Sequence, residues 1–341
     1  MRHTCLAVLL SCLATFVSAL EIEDYRLFPG TGDRVLRVIS TGDLEVFEPY
    51  LLAFQARQPS LSIDYTVVSS AQLYQAIRGG AVFDLALSSA MDLQFQLAND
   101  GFAQSHRSET TTSLPDWARW RDLIFAFTAE PAVVVLSTQR FEGLDLPTTR
   151  QELVTLLREY PDRFDGAVGT YDVRDSGLGY LFATQEARST DAYWRLSEVM
   201  GRLNPQLYCC SGQMIDDVAE GRLAFAYNVL GSYAADRLAR DSGGRVQILG
   251  MQDFTNVILR TAIVPTTARE TAAAGALIDM LADLGQREAP GDWPLPPLGQ
   301  TGTDNLVEFG PIRLGPALMV YLDPLNRRAF LTEWENAMEQ R

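Results

Sequence analysis

Gly169-Thr170-Tyr171-Asp172-Val173-Arg174-Asp175-Ser176-Gly177-Leu178-Gly179 and, downstream, Tyr227-Asn228-Val229-Leu230-Gly231-Ser232-Tyr233 carry the strongest signal in this chain. Each stretch follows an apolar, strand-like run and is rich in small and hydroxyl residues. That is the chemistry of a loop that lets a ligand approach the backbone. A helix beginning there offers unpaired N–H groups and a positive dipole end. Ser and Gly leave room for an anion at such a terminus. Arg174 adds a planar fork suited to carboxylate or phosphate.

Around these loops the pattern alternates between strands and helices. The spacing predicts a helix over Thr149–Glu159, with Thr148 and Gln151 placed as a capping box. Strand Ala167–Thr170, helices Ser176–Arg188 and Asp191–Leu203, and a short helix Gln213–Glu220 follow. Then come strand Leu223–Tyr227, helix Ser232–Arg240 and strand Val246–Leu249. The first half reads the same way: strand Val35–Ser40, helix Leu44–Gln58, strand Leu61–Val68, helix Ala71–Arg78, strand Asp84–Leu87, helix Met91–Asn99. Such alternation builds an α/β fold on a mostly parallel sheet. Ile124–Thr128 and Ala132–Ser137 read as two strands separated by Ala129-Glu130-Pro131, where the chain is expected to cross between lobes. Val257–Val264 returns to the first lobe, and helix Arg269–Leu284 follows. The prolines between Glu288 and Pro316 mark a long surface connection. A last helix covers Asn326–Gln340. The expected parts are 1–19 as a signal peptide, 20–128 and 255–310 as one lobe, 129–254 as the other, and 311–341 as a C-terminal segment on the second lobe.

Composition narrows the function. Arg2-His3, the apolar run Cys5–Val17 and Val17-Ser18-Ala19 have the form of a secretory signal peptide cleaved after Ala19. Cys12 after Leu9-Leu10-Ser11 leaves a lipoprotein as the alternative. Export places the protein in the periplasm. The formal charge of −15 argues against nucleic acid and anionic membrane surfaces as partners. All 28 basic residues are arginine, which removes lysine Schiff-base chemistry and a Walker-type lysine. Past the signal peptide only His106 remains, so histidine triads and multi-histidine metal sites are excluded. There is no G-x-S-x-G elbow and no H-E-x-x-H helix. Neither catalytic residues nor a cofactor or metal are expected. Cys209-Cys210 is either a vicinal disulfide or a pair of buried small apolar residues.

The candidate ligand residues lie in loops between a strand and a helix: Thr41-Gly42-Asp43, Ser69-Ser70 and Ser88-Ser89 in the first half. In the second they are Arg174, Asp175, Ser176 and Gly177, then Ser211-Gly212 and Asn228. In an open α/β sheet these loops line the crevice at the carboxyl ends of the strands. Plain helix capping calls for the same residue types.

The layout resembles the family 1 extracellular solute-binding proteins of ABC importers. Within it, the chain is similar to the branch of ferric-ion, hexose-phosphate and phosphoglycerate binding proteins. The features that carry the resemblance are the signal, the opening strand with Ser40-Thr41-Gly42, the crossings, the Gly-Thr-Tyr-Asp loop and Ala226–Tyr233. The resemblance implies a two-lobed type II periplasmic binding protein with a ligand cleft and β-strand hinge crossings. It implies a monomer that binds a small anionic, phosphorylated organic solute, with a membrane permease or a sensor kinase as partner. Ferric members resemble one another in presenting adjacent tyrosines after a strand like Leu223–Tyr227. Here Gly231 and Ser232 fall at that place, which weakens an iron reading.

Overall fold

The computed structural model describes residues 20–240, 243–287, 293–299 and 311–340. The signal segment lies outside them.

The strands run Asp24–Phe28, Leu61–Val67, Arg34–Ser40, Leu85–Ser88, Val257–Pro265, Ile124–Ser137, Phe225–Leu230, Val168–Tyr171 and Gln206–Tyr208 in spatial order. Two sets of parallel strands lie at the ends: Arg34–Ser40 between Leu61–Val67 and Leu85–Ser88, and Val168–Tyr171 between Phe225–Leu230 and Gln206–Tyr208. Antiparallel strands join them at the centre. Helices pack on both sets, as parallel strands with crossover helices require.

Ile124–Ser137 is one continuous buried strand, not two. Phe125 to Pro131 pair with Val257–Pro265, and Ala132 to Leu136 pair with Phe225–Leu230. Pro131 is tolerated because the ladder resumes beside it: Ala132 N–H donates to Asn256 O at 2.8 Å. Gly231 packs against Pro131, whose carbonyl oxygen would stand 3.0 Å from any Cβ at that position.

Glu130 and Arg260 meet at this crossing, both with no exposed surface. The Arg260 Nε–H donates to Glu130 Oε1 at 2.9 Å and an Nη2–H to Oε2 at 3.2 Å. Thr128 Oγ1 donates to Glu130 at 2.8 Å, and Ser232 donates to its other oxygen. Burial alone would push the Glu130 carboxyl up. The Arg260 guanidinium and the two hydroxyls more than reverse this and hold it below the ordinary value.

Other boundaries shift for local reasons. The capping box before helix Arg150–Glu159 uses Thr149 and Glu152, not Thr148 and Gln151, because only Glu reaches back to both N–H groups. The strand expected to stop at Tyr227 runs on to Leu230 through a bulge, with Asn228 at φ 62°. The edge strands Asp24–Phe28 and Gln206–Tyr208 were not expected; they are short and lie largely exposed or half-buried rather than in the core. The proline-rich connection is partly interior: Trp293 lies 4.6 Å from the Tyr50 ring, and Leu295, Leu298 and Leu314 are buried. The final helix, Pro324–Met338, sets Phe330, Trp334 and Met338 into the core beside Leu196 and Met200.

Replacing one member of a buried ion pair leaves the other charge uncompensated. Glu130→Gln is therefore expected to cost about 3–5 kcal/mol in denaturant unfolding. The folded pKa of Glu130 is depressed, so its contribution is full above the unfolded value near 4.5 and is lost as pH falls through the folded one. A variant as stable as the parent at neutral pH would show that the pair does not hold the crossing.

Candidate functional site

The carboxyl ends of both parallel sets face each other, as the crevice rule for open sheets anticipates. Helices start there at Leu44, Ser70, Met91, Gly177, Ser211 and Gly231. Residues at or beside these starts enclose a cleft of about 500 Å³, counting its open mouth.

Eight of the sequence-selected residues line it: Thr41, Asp43, Ser69, Ser70, Ser89, Ser176, Ser211 and Gly212. Several are capping residues as well. Ser69 Oγ accepts from Gln72 N–H at 3.2 Å, and Ser176 Oγ from Gly179 N–H at 3.1 Å. Capping uses one lone pair of each hydroxyl and leaves its donor free. Thr41 Oγ1 and Ser89 Oγ lie 3.3 Å apart. Ser211 Oγ accepts from Leu230 N–H at 3.1 Å and bonds the Tyr171 hydroxyl at 2.5 Å. Two contacts already span the cleft: Asp43 N–H to the Tyr233 hydroxyl at 3.1 Å, and Gly177 N–H to Ser70 Oγ at 3.0 Å.

The remaining candidates sit elsewhere. Gly42 is a packing position, since a Cβ there would lie 2.1 Å from the Phe47 ring. Ser88 is buried under the loop and accepts from Ala90 N–H. Asn228 is inside the bulged strand and faces a different, small interior space. Arg174, Asp175 and Gly177 border a second cavity beside the cleft. Arg174 donates to Asp172 through Nε and Nη2, at 2.8 and 2.6 Å, and to Glu339 at 2.6 Å. The Asp172 carboxylate, two residues away, captures it before any ligand can.

Among its described lining residues the cleft has no basic side chain, but it has Glu23 and Asp43. Burial raises both carboxyls above their ordinary values. At Asp43 the Glu45 and Asp24 carboxylates add to this while Arg260 and Tyr233 oppose it; at Glu23, Asp43 and Glu21 add to it. Glu23 has no sequence signal beyond its place just before the first strand. Cys209 and Cys210 are joined by a disulfide. They are exposed and half-buried at the rim rather than core residues, and both sulfurs face Glu23. The cleft phenols Tyr171 and Tyr233 are pushed well up by burial and remain neutral donors. Gly231 and Ser232 turn to the crossing strand, away from the cleft.

Residues 40–288 match the family model of bacterial extracellular solute-binding proteins. The chain belongs to this family. Its members capture solutes rather than convert them. The substrate binding protein of the ABC transporter from Agrobacterium tumefaciens superposes with a TM-score of 0.86 at 30% identity, over 92% of this chain and 98% of that one. The periplasmic binding protein AfuA from Actinobacillus pleuropneumoniae, with exogenous fructose-6-phosphate bound, gives 0.70 at 16% identity over 91% and 100%. Ferric iron-Binding Protein A of Mannheimia haemolytica, in an open conformation, gives 0.62 at 16% over 91% and 100%. No curated protein sequence matches the chain. The two-lobed type II binding-protein fold is thereby established. No described helix is long and apolar enough to cross a membrane.

Two outcomes test this site. Asp43 carries a raised pKa and makes no side-chain cap bond, so Asp43→Asn removes a desolvated charge without losing a cap. The variant is expected to melt higher at neutral pH, and its advantage should vanish below the ordinary aspartate value of 3.8. A lower melting temperature at neutral pH would mean that the ionised carboxylate is stabilised. Separately, alkylation of the unreduced protein followed by intact-mass measurement should label neither Cys209 nor Cys210; two labels would rule out the disulfide.

Proposed function

We propose that this is the periplasmic receptor of an ABC importer for a small phosphorylated organic solute, of the sugar-phosphate or phosphoglycerate class. One observation carries the reading. Six helix N-termini converge on the cleft with serine and threonine hydroxyls, while the described lining side chains include two carboxylates and no cation. Backbone N–H groups and dipole ends suit an oxyanion head. Asp43 and Glu23 suit the hydroxyls of its carbon skeleton, because a carboxylate is a strong acceptor. A bare anion would leave these acceptors facing its own charge.

The likeness to the Agrobacterium tumefaciens protein supports an ABC permease as the partner. A membrane sensor kinase is the other output such receptors serve. AfuA, a protein of the same fold with fructose-6-phosphate bound, supports the reading. The neutral phenols and the absence of adjacent cleft tyrosines disfavour iron.

A thermal-shift screen of the mature protein tests the reading, since a ligand that binds only the folded state raises the melting temperature. The panel should hold hexose phosphates, phosphoglycerates, free sugars, dicarboxylates and ferric citrate. A selective rise with a phosphorylated compound is expected. A rise with ferric citrate alone would overturn the reading. For the compound that binds, Ser211→Ala is expected to weaken affinity by roughly tenfold, the effect of losing one hydrogen bond to a charged group. Arg174→Ala should change it less than about twofold, because this arginine is held by Asp172 and Glu339 outside the cleft.

A further inference from the structure

The cavity beside the central cleft is the larger of the two, about 980 Å³ counting its mouth. It lies between helices Ser70–Arg78, Met91–Asn99 and Pro324–Met338, and shares Ser176 with the cleft. Its charge has the opposite sign. Arg78 and Arg327 both line it, and neither pairs with a carboxylate among the described residues. Arg327 stacks over the Tyr180 ring at 4.8 Å and Arg78 over the Tyr74 ring at 5.7 Å. Among the described residues, the one hydrogen bond of these two guanidinium groups is from Arg78 to the Tyr74 hydroxyl, at 3.4 Å. Stacking fixes the plane of a guanidinium and leaves the N–H groups along its edge available.

A third group points the same way. Asp92 borders this cavity and is 2% exposed, yet its Oδ1 has no hydrogen-bond partner. Burial lifts its carboxyl to about 7, against the opposing pull of Arg327 and two backbone N–H groups. A buried carboxyl oxygen without a partner is costly in a finished structure. It is explained if a ligand supplies the missing donor.

We propose that this flank cavity is a second anion site. Arg78 and Arg327 clamp a carboxylate, phosphate or sulfate group, and Asp92 accepts a hydrogen bond from a hydroxyl beside it. The preferred ligand is thus a hydroxy acid or a hydroxylated phosphate ester. Arg78, Arg327 and Asp92 are not among the residues that line the central cleft, so the proposal stands or falls apart from the reading above.

Calorimetric titration of the full mature chain at low ionic strength decides it, with citrate and sulfate as probes. Citrate carries a hydroxyl next to its carboxylates; sulfate carries no donor. Arg78→Gln and Arg327→Gln are each expected to weaken both anions by roughly tenfold or more. Asp92→Ala should weaken citrate and spare sulfate. Arg57→Gln, an exposed charge away from the cavity, should change neither. Arg78 is exposed at a helix end, so its variant keeps the test open even if Arg327→Gln folds poorly. Equal affinities in the parent and Arg78→Gln would overturn the proposal, as would a parent that takes up neither anion.

Discussion

The Glu130–Arg260 pair is the contact on which the rest of the structure depends. It lies where the two long strands cross between the parallel sets, with every carboxylate oxygen bonded. A buried ion pair adds little net stability over apolar residues of the same volume, but losing one partner is expensive. Its contribution is therefore geometric. It ties Ile124–Ser137 to Val257–Pro265, and through Ser232 it fixes the start of helix Gly231–Arg240. Arg260 also lies beneath the loops that line the cleft. Its Nη1, which lacks a hydrogen-bond partner, lies 3.0 Å from where a Cβ on Gly42 would be, and its charge acts on Asp43 and Tyr233. The crossing and the ligand loops thus share one charged group.

The cleft itself separates two kinds of recognition. Its helix ends are positive by virtue of the backbone, whereas its ionisable side chains are acidic. An overall charge of −15 does not prevent anion capture, because oriented N–H groups act at hydrogen-bond range while the global field is screened over about 10 Å. The same separation explains why arginine is a poor guide here. Arg174 is held by Asp172, and Arg260 by Glu130.

The fold was legible because strand and helix alternation is a local signal. Helices such as Leu44–Arg57 and Met91–Asn99 fall within a residue of the pattern. Strand ends were harder. Pro131 looked like a break, yet pairing on both sides carries the strand through it, and the bulge at Asn228 extends a strand past its apparent end. At the site, residues in strand-to-helix loops could be named from sequence, because any loop at a carboxyl strand end must face the crevice. Which of their side chains turn inward could not. Gly42 packs on Phe47, and Arg174 meets a C-terminal Glu339 that lies 165 positions away in sequence. Glu23 and the flank pair Arg78 and Arg327 come from segments whose proximity only the tertiary structure creates.

The central claim is that a phosphorylated solute seats its head group on the converging helix ends. Phosphorus NMR of a hexose phosphate or phosphoglycerate titrated with the mature protein observes that head group directly. The account predicts a shifted or broadened resonance that saturates at one equivalent and returns when the protein is unfolded. A resonance unchanged across hexose phosphates and phosphoglycerates, with a folded protein in the tube, would contradict it.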